Sequence, residues 1–215
     1  MPNYDRRNWL RFVTGGAASP VLATEPAAAQ VPSFAPPLSG REIMRQRHFP
    51  NVPLTTHEGR RVRFYDDLIK DKIVVLNLMY ADCEGICPTV TLNLARTQQL
   101  LNERIKTPVH IVSLTVNPQD DTPQKLREYA TMHEAGGNWL FATGAPDDLE
   151  LLRQRLGFTD LNPAIDKDKS SHSGMIRYGN EPLSLWGGCP GNTPPEWMLR
   201  EISFVIPGPR IADPS

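Results

Sequence analysis

The stretch Ile73–Pro88, IVVLNLMYADCEGICP, joins an apolar run to two cysteines and a proline. The run Ile73–Tyr80 has the length and the β-favouring residues of a central strand that is buried on both faces. After Pro88 the apolar residues recur at helical spacing, and proline suits the first turn of a helix because its missing N–H costs no hydrogen bond there. Cys83 and Cys87 are therefore predicted to lie where a buried strand is followed by a helix.

This location favours chemistry at both thiols. A helix N-terminus carries partial positive charge and free N–H groups, which stabilise a thiolate, and the thiolate is both the nucleophile and the metal ligand. Cys83 and Cys87 are four residues apart, so one turn or a tight loop directs both sulfurs at one point. Such a pair closes as a redox disulfide or holds a soft ion such as Cu(I). Two buried structural cysteines, or a static disulfide, are the alternative.

Composition limits the classes of function. The chain has 215 residues, a formal net charge of −1 and three cysteines. The balanced charge gives no support for nucleic-acid binding, and three cysteines are too few for a disulfide scaffold. The length suits one domain with additional segments, and no apolar stretch has the length of an ordinary membrane span.

Residues 1–29 have the features of an export signal. Arg6-Arg7 precede a mildly apolar segment rich in Gly and Ala, and Ala27–Ala29 offers a cleavage site before Gln30. The pattern resembles a twin-arginine signal, which a receptor reads, and an unstructured basic tail is the alternative. We therefore expect a periplasmic protein, in a compartment where disulfides persist. A signal that is not cleaved would leave the protein associated with the membrane.

The remaining chain is predicted to be a proline-rich linker at 30–47 and a domain at 48–215. Alternation of strands and helices predicts an α/β sandwich with parallel central strands and a final antiparallel pair. Thr122 is the predicted N-cap of the helix that begins at Pro123, and Asp147 or Asp148 the cap of the next one. The predicted strands are Val52–Thr55, Arg61–Phe64, Ile73–Tyr80, Val109–Val116, Trp139–Thr143, Gly174–Tyr178 and Glu201–Ile206, and the predicted helices follow Pro88, cover about Gln124–Glu134 and pass through Leu149, Leu152 and Leu156 to Gly157.

Four short motifs occur in order between Val52 and Ile206. They resemble, in the same order, motifs of the Sco/SenC family of thioredoxin-fold copper-binding proteins, which carries C-x-x-x-C-P, a strand-end motif beginning Val-Asp-Pro, and a distal histidine before a terminal hairpin. The resemblance implies an α/β, thioredoxin-like three-layer sandwich with an N-terminal β-hairpin and a C-terminal β-hairpin. The motifs here are CEGICP at Cys83–Pro88, VNPQDDTP at Val116–Pro123, Trp139-Leu140 with Thr143-Gly144, and His172-Ser173.

The resemblance also implies a copper site and a role. One copper ion, as Cu(I) or Cu(II), would be held by Cys83, Cys87 and His172, because two thiolates and an imidazole suit both oxidation states. The implied role is that of a chaperone that delivers copper to a respiratory copper enzyme such as cytochrome c oxidase, or reduces its cysteines. The implied partners are the copper-site subunit of a terminal oxidase and a periplasmic thiol reductant or copper donor, and we expect a monomer that binds no nucleic acid.

Two other classes of function are alternatives to a copper chaperone. A thiol–disulfide oxidoreductase or redox sensor without obligatory copper needs only the cysteine pair. A peroxide-reducing enzyme needs a nearby arginine and hydroxyl, and no such set surrounds Cys83 in the sequence. The distal His172 favours a metallochaperone over an enzyme.

The sequence also departs from the family pattern. Glu84 and Gly85 stand where the family often has proline and aspartate, and Asn117 replaces the usual aspartate. Residues 181–197 are interpreted as an insertion between the terminal strands. Cys189 within them is a free thiol, a resolving cysteine, a partner contact or an incidental loop residue. The remaining histidines, His48, His57, His110 and His133, are interpreted as structural or exposed, and Asp120-Asp121 as helix-capping residues.

Overall fold

Seven strands form one mixed sheet in the part of the chain that the computed structural model describes, residues 37–167 and 174–208. The strands are β1 Pro53–Thr56, β2 Arg61–Arg63, β3 Ile73–Met79, β4 Val109–Thr115, β5 Trp139–Gly144, β6 Met175–Asn180 and β7 Leu185–Pro190. Their order across the sheet is β2-β1-β5-β4-β3-β6-β7. Strands β3, β4 and β5 are mutually parallel, and the other pairings are antiparallel, so the predicted parallel centre is confirmed.

Helices cover both faces of this sheet. They are α1 Gly40–His48, α2 Cys87–Arg104, α3 Pro123–Met132, α4 Pro146–Arg155, α5 Pro163–Lys167 and α6 Pro195–Ser203, with a π-helical segment at Phe64–Ile69. Buried residues of α2, α3 and α6 share one core with the Val75 face of β3, whereas α4 and the π-helical segment share the other with the Leu76 face. The predicted three-layer α/β sandwich is therefore confirmed, although the π-helical segment and α5 were not predicted.

Strand β3 is the centre of both cores. All seven of its residues are buried, and it pairs in parallel with β4 from Ile73↔Val109 to Met79↔Thr115. Successive side chains of a strand point to opposite faces, so its continuous apolar run supplies both layers at once. The prediction of a central strand buried on both faces is confirmed.

The C-terminal hairpin exists, but its second strand was predicted in the wrong place. Residues Glu201–Ile206 form the end of α6 and the turn after it, while β7 lies inside the predicted insertion 181–197. The glycines of β7 suggested a loop, yet they allow a close pairing: a Cβ on Gly187 would come within 2.6 Å of the Tyr178 ring. The expectation that residues 181–197 form a loop between the terminal strands is wrong, because that range supplies β7 and the beginning of α6. In α6 the buried residues Met198, Leu199 and Ile202 recur at helical spacing.

The predicted linker 30–47 contains α1, so its boundary was also wrong. Ser39 caps α1 by accepting a hydrogen bond from the N–H of Glu42 at 3.2 Å. Ser39 and Glu42 have the spacing of a capping box, a signal that the neighbouring prolines obscured. The cap of α4 likewise differs from the prediction, since Ala145 precedes Pro146 there and the two aspartates lie in the first turn. The predicted signal 1–29, and residues 30–36, lie outside the described residues.

None of the helices in the described ranges combines the length and the apolar character that crossing a bilayer would require.

Candidate metal and thiol site

The two motif cysteines lie at the junction of β3 and α2. Cys87 is the first residue of α2, and Cys83 lies in the preceding turn, where its N–H donates to the carbonyl of Tyr80 at 3.2 Å. Both side chains are buried, with 7% and 2% of their surface exposed. The exposed residues Glu84 and Gly85 form the loop between them. The sulfurs therefore lie just beneath a solvent-facing loop at the N-terminus of a helix.

The two thiols have opposite acidities. Burial raises the pKa of Cys83, but hydrogen bonds to its sulfur from the Cys87 thiol and from the backbone N–H groups of Cys87 and Gly85 leave that pKa below its ordinary value. Burial, the hydrogen bond to Cys83 and repulsion from the Cys83 charge raise the pKa of Cys87. Cys83 is thus the more acidic thiol of the pair, and Cys87 is the less acidic one.

A buried carboxylate lies beside this turn. Asp121 is 1% exposed and accepts hydrogen bonds from the N–H of Ala81 at 3.2 Å and from the hydroxyl of Thr115. Its neighbour Thr122 caps α3 by accepting from the N–H of Lys125, as predicted. The interpretation of Asp121 as a capping residue is wrong, because its carboxylate contacts the cysteine turn instead. The signal that could have revealed it is its position in the loop after β4, the strand that pairs in parallel with β3.

The predicted third ligand, His172, lies outside the described residues. The second described range begins at Gly174. Its φ of +56° and its lack of a side chain allow it to lie against Ile86. A Cβ on Gly174 would come within 2.5 Å of the Cδ1 atom of Ile86. Gly191 fixes this position, since its N–H donates to the carbonyl of Gly174 at 2.7 Å. The chain two residues beyond His172 therefore contacts the loop between the two cysteines.

The third cysteine has other neighbours. Cys189 lies in β7 opposite Ile176, is 6% exposed and hydrogen-bonds with Thr193. Burial and the nearby charge of Glu201 raise its pKa to about 11. No disulfide joins Cys83, Cys87 and Cys189 in this structure. Cys189 is therefore a buried strand residue and not part of a loop insertion.

The other histidines take structural positions. His57 accepts a hydrogen bond from the N–H of Phe141 at 3.1 Å, and burial lowers its pKa. His133 packs on the ring of Tyr129, and His48 contacts the carbonyl of Arg155. Within residues 37–167 and 174–208, no group of three or more His, Cys, Asp or Glu is arranged to hold a metal ion.

Comparison with protein families identifies the chain. The family model described as SCO1/SenC matches residues 44–203. This chain belongs to the SCO1/SenC family. A relative from Stutzerimonas stutzeri, named "Putative copper-binding protein", is 28% identical over 148 residues, which are 67% of this chain and 70% of that protein. The SCO1 protein homolog of Bacillus subtilis (strain 168) is 28% identical over 109 residues, 49% of this chain and 54% of its own length.

Solved structures show the same fold. A SCO1/SenC family lipoprotein from Bacillus anthracis str. Ames superposes with a TM-score of 0.60 at 24% identity, over 72% of this chain and 92% of that one. ScoI of Arabidopsis thaliana, solved with copper bound, superposes with a TM-score of 0.59 at 20% identity, over 73% and 98%. The predicted thioredoxin-like sandwich is therefore confirmed for this member of the SCO1/SenC family.

Proposed function

We propose that this protein binds one copper ion through Cys83, Cys87 and His172, and that it delivers copper to, or reduces the cysteines of, a respiratory copper enzyme such as cytochrome c oxidase. The observation that carries the proposal is the contact of Gly174 with Ile86, because it holds the segment that follows His172 against the loop between the two thiols. The copper-bound structure of the Arabidopsis relative supports the choice of metal.

The donor set fits copper as a transported ion. Thiolates are soft ligands that suit Cu(I), and an imidazole adds a donor that suits Cu(II). Thiolates bind the metal, so copper binding would release protons, and the raised pKa of Cys87 makes its proton the harder of the two to release. The exposed loop at Glu84 and Gly85 leaves one side of the pair accessible, as transfer to an acceptor requires.

The test replaces His172 by alanine and uses His48→Ala as a matched control, since His48 is exposed and contacts α4 instead. We expect His172→Ala to lose Cu(II) binding and oxidase maturation together. Cu(I) binding should weaken much less, because two thiolates already satisfy Cu(I). The potential of the metal-free cysteine pair should stay unchanged, and His48→Ala should change none of these properties. Retention of Cu(II) by His172→Ala would place the third ligand elsewhere.

A second function is a thiol–disulfide oxidoreductase without obligatory copper. The opposite acidities of the two thiols favour it, since one thiolate attacks and a buried partner resolves the mixed disulfide. In this step Cys83 and Cys87 give two electrons and two protons to a target disulfide, which becomes two thiols. Oxidase maturation that survives loss of His172 but not of Cys83 would establish this function in place of copper delivery.

The proposed setting is the periplasm, where the protein would act as a monomer supplied by a thiol reductant or a copper donor. Support comes from Arg6-Arg7 and from the small residues before Gln30. Replacing both arginines by lysine should abolish periplasmic recovery, as measured by cell fractionation. A mature N-terminus far from Gln30, determined by mass spectrometry, would contradict the proposed cleavage.

A further inference from the structure

The turn that carries Cys83 is bound to the next loop by a buried carboxylate. Strands β3 and β4 are parallel, so the loops that follow them leave the sheet side by side. Both carboxylate oxygens of Asp121 lie 3.2 Å from the backbone nitrogen of Ala81, two residues before Cys83. The hydroxyl of Thr115, the last residue of β4, donates to the same carboxylate. Asp121 is thus a buried charged acceptor between two loops.

A lysine adds a second connection between these loops. Lys125 of α3 pairs with Asp82 at 2.5 Å, and its Nζ lies 4.0 Å from Asp121 Oδ1. Asp82 is 70% exposed, so this pair alone contributes little. The hydrogen bond from the partly buried N–H of Ala81 ends on the buried carboxylate of Asp121. A buried acceptor that loses its donor has little water to replace it, so the turn has a reason to keep this geometry.

The geometry of the turn determines which donors reach the Cys83 sulfur. The hydroxyl of Tyr80, which precedes the turn, is one of these donors, and the backbone N–H groups of Gly85 and Cys87 and the Cys87 thiol, which follow Cys83 in sequence, are the others. We propose that Asp121 is a positioning residue for the Cys83–Cys87 pair: by holding the N–H of Ala81, it keeps the Cys83 sulfur within reach of the donors at the start of α2. The inference rests on the cysteine pair of the proposed function but not on copper.

Three variants separate position from charge. Asp121→Ala removes the acceptor and the charge together. Asp121→Asn removes only the charge, because its amide oxygen accepts from Ala81 and its NH₂ donates to the oxygen of Thr115. Asp120→Ala is the matched control, since Asp120 is the adjacent but exposed carboxylate and accepts a hydrogen bond from the Asn117 side chain at 2.7 Å.

The experiment equilibrates metal-free protein with dithiothreitol and its cyclic disulfide. The Cys83–Cys87 dithiol passes two electrons and two protons to the cyclic disulfide, which becomes dithiothreitol. We expect Asp121→Ala to move the equilibrium at least about tenfold toward the protein disulfide, a potential lower by about 30 mV, because its thiolate loses donors. Asp121→Asn and Asp120→Ala should stay within about twofold of the unaltered protein. An equal shift in Asp121→Asn and Asp121→Ala, or no shift in either, would overturn the proposal.

A second measurement needs no variant, in case Asp121→Ala fails to fold. Backbone amide exchange of the unaltered protein should be at least about 100-fold slower at Ala81 than at the exposed Glu84. Equal rates at the two amides would show that Asp121 does not hold the turn. Neither measurement involves metal, so failure of copper binding would contradict the proposed function and leave this inference standing.

Discussion

Two carboxylates are buried at opposite ends of β3, and their surroundings differ. Glu181 follows β6 and lies beside Lys72, just before β3, whereas Asp121 lies beside Ala81, just after it. Glu181 is 3% exposed and Asp121 is 1% exposed, so both are removed from water. Glu181 meets two guanidinium nitrogens of Arg41, at 2.6 and 2.5 Å. Asp121 has its nearest cation only at 4.0 Å.

The difference shows how environment assigns a role to a buried acid. Burial raises the pKa of Glu181, but hydrogen bonds from Arg41, the N–H of Asp71 and the hydroxyl of Tyr65 outweigh it and leave that pKa below its usual value. For Asp121, burial outweighs the hydrogen bonds from Thr115 and Ala81, and its pKa is raised. The carboxylate of Glu181 pairs with Arg41 and links α1 to the sheet, whereas the carboxylate of Asp121 lies beside the turn of Cys83 without a close cation.

The largest expected effect is the loss of Glu181. Glu181→Ala should lower the free energy of unfolding by about 3 kcal/mol, because it breaks a buried ion pair. The figure is at the low end for such pairs because Arg41 keeps 38% of its side chain exposed to water. Urea unfolding at pH 7 measures it, with the exposed Glu58→Ala as control, which should cost less than about 0.5 kcal/mol. A loss of stability below about 1 kcal/mol for Glu181→Ala would show that the Glu181–Arg41 pair does not hold α1 on the sheet.

A smaller effect is an opposite pH dependence of the two sites. Glu181 has a pKa below its ordinary 4.5, so its contribution to stability is present at neutral pH and is lost as pH falls through the folded value. Asp121 has a pKa above its ordinary 3.8, so its contribution is present at acidic pH and is lost as pH rises through the folded value. Each site changes stability by at most about 1.4 kcal/mol per pH unit.

Glu181→Gln and Asp121→Asn test these signs by urea unfolding at pH 7, 5 and 4. As pH falls, the advantage of the unaltered protein over Glu181→Gln should shrink, and its advantage over Asp121→Asn should grow. The same sign at both sites would show that the two carboxylates share one environment, contrary to the comparison.

The smallest effect is expected at Cys189, a third buried titratable group. If burial alone made a titratable group part of the Cys83–Cys87 site, Cys189→Ser would alter copper binding or the redox equilibrium of that pair. We expect copper stoichiometry and the dithiothreitol equilibrium to stay unchanged, with a stability cost of about 1 kcal/mol for burying a hydroxyl. Cys83→Ser, by contrast, should abolish the redox equilibrium and weaken copper binding. Loss of copper in Cys189→Ser would make Cys189 a ligand.

Sequence patterns predicted the strands and helices whose formation depends on neighbouring residues in the chain. The continuous apolar run of β3 and the proline after Cys87 were sufficient for the strand and for the start of α2. The β7 prediction failed because glycine is a turn signal in sequence, whereas here it allows close strand pairing. Contacts between residues far apart in the sequence leave no local pattern. Ala81 and Asp121 are 40 residues apart in the chain, and Arg41 and Glu181 are 140 residues apart. The roles of Cys83, Cys87 and His172 stay predictions.

The contact between Arg41 and Glu181 also determines at which end of β3 helix α1 is held. The ion pair holds helix α1, the first described element, at the end of β3 that lies away from the cysteines. The seven residues of the strand separate its two ends by about 20 Å. Helix α1 is therefore held at the end of β3 opposite the turn that carries Cys83. The Arg41–Glu181 contact and the exposed loop at Glu84 and Gly85 thus lie at opposite ends of the same strand.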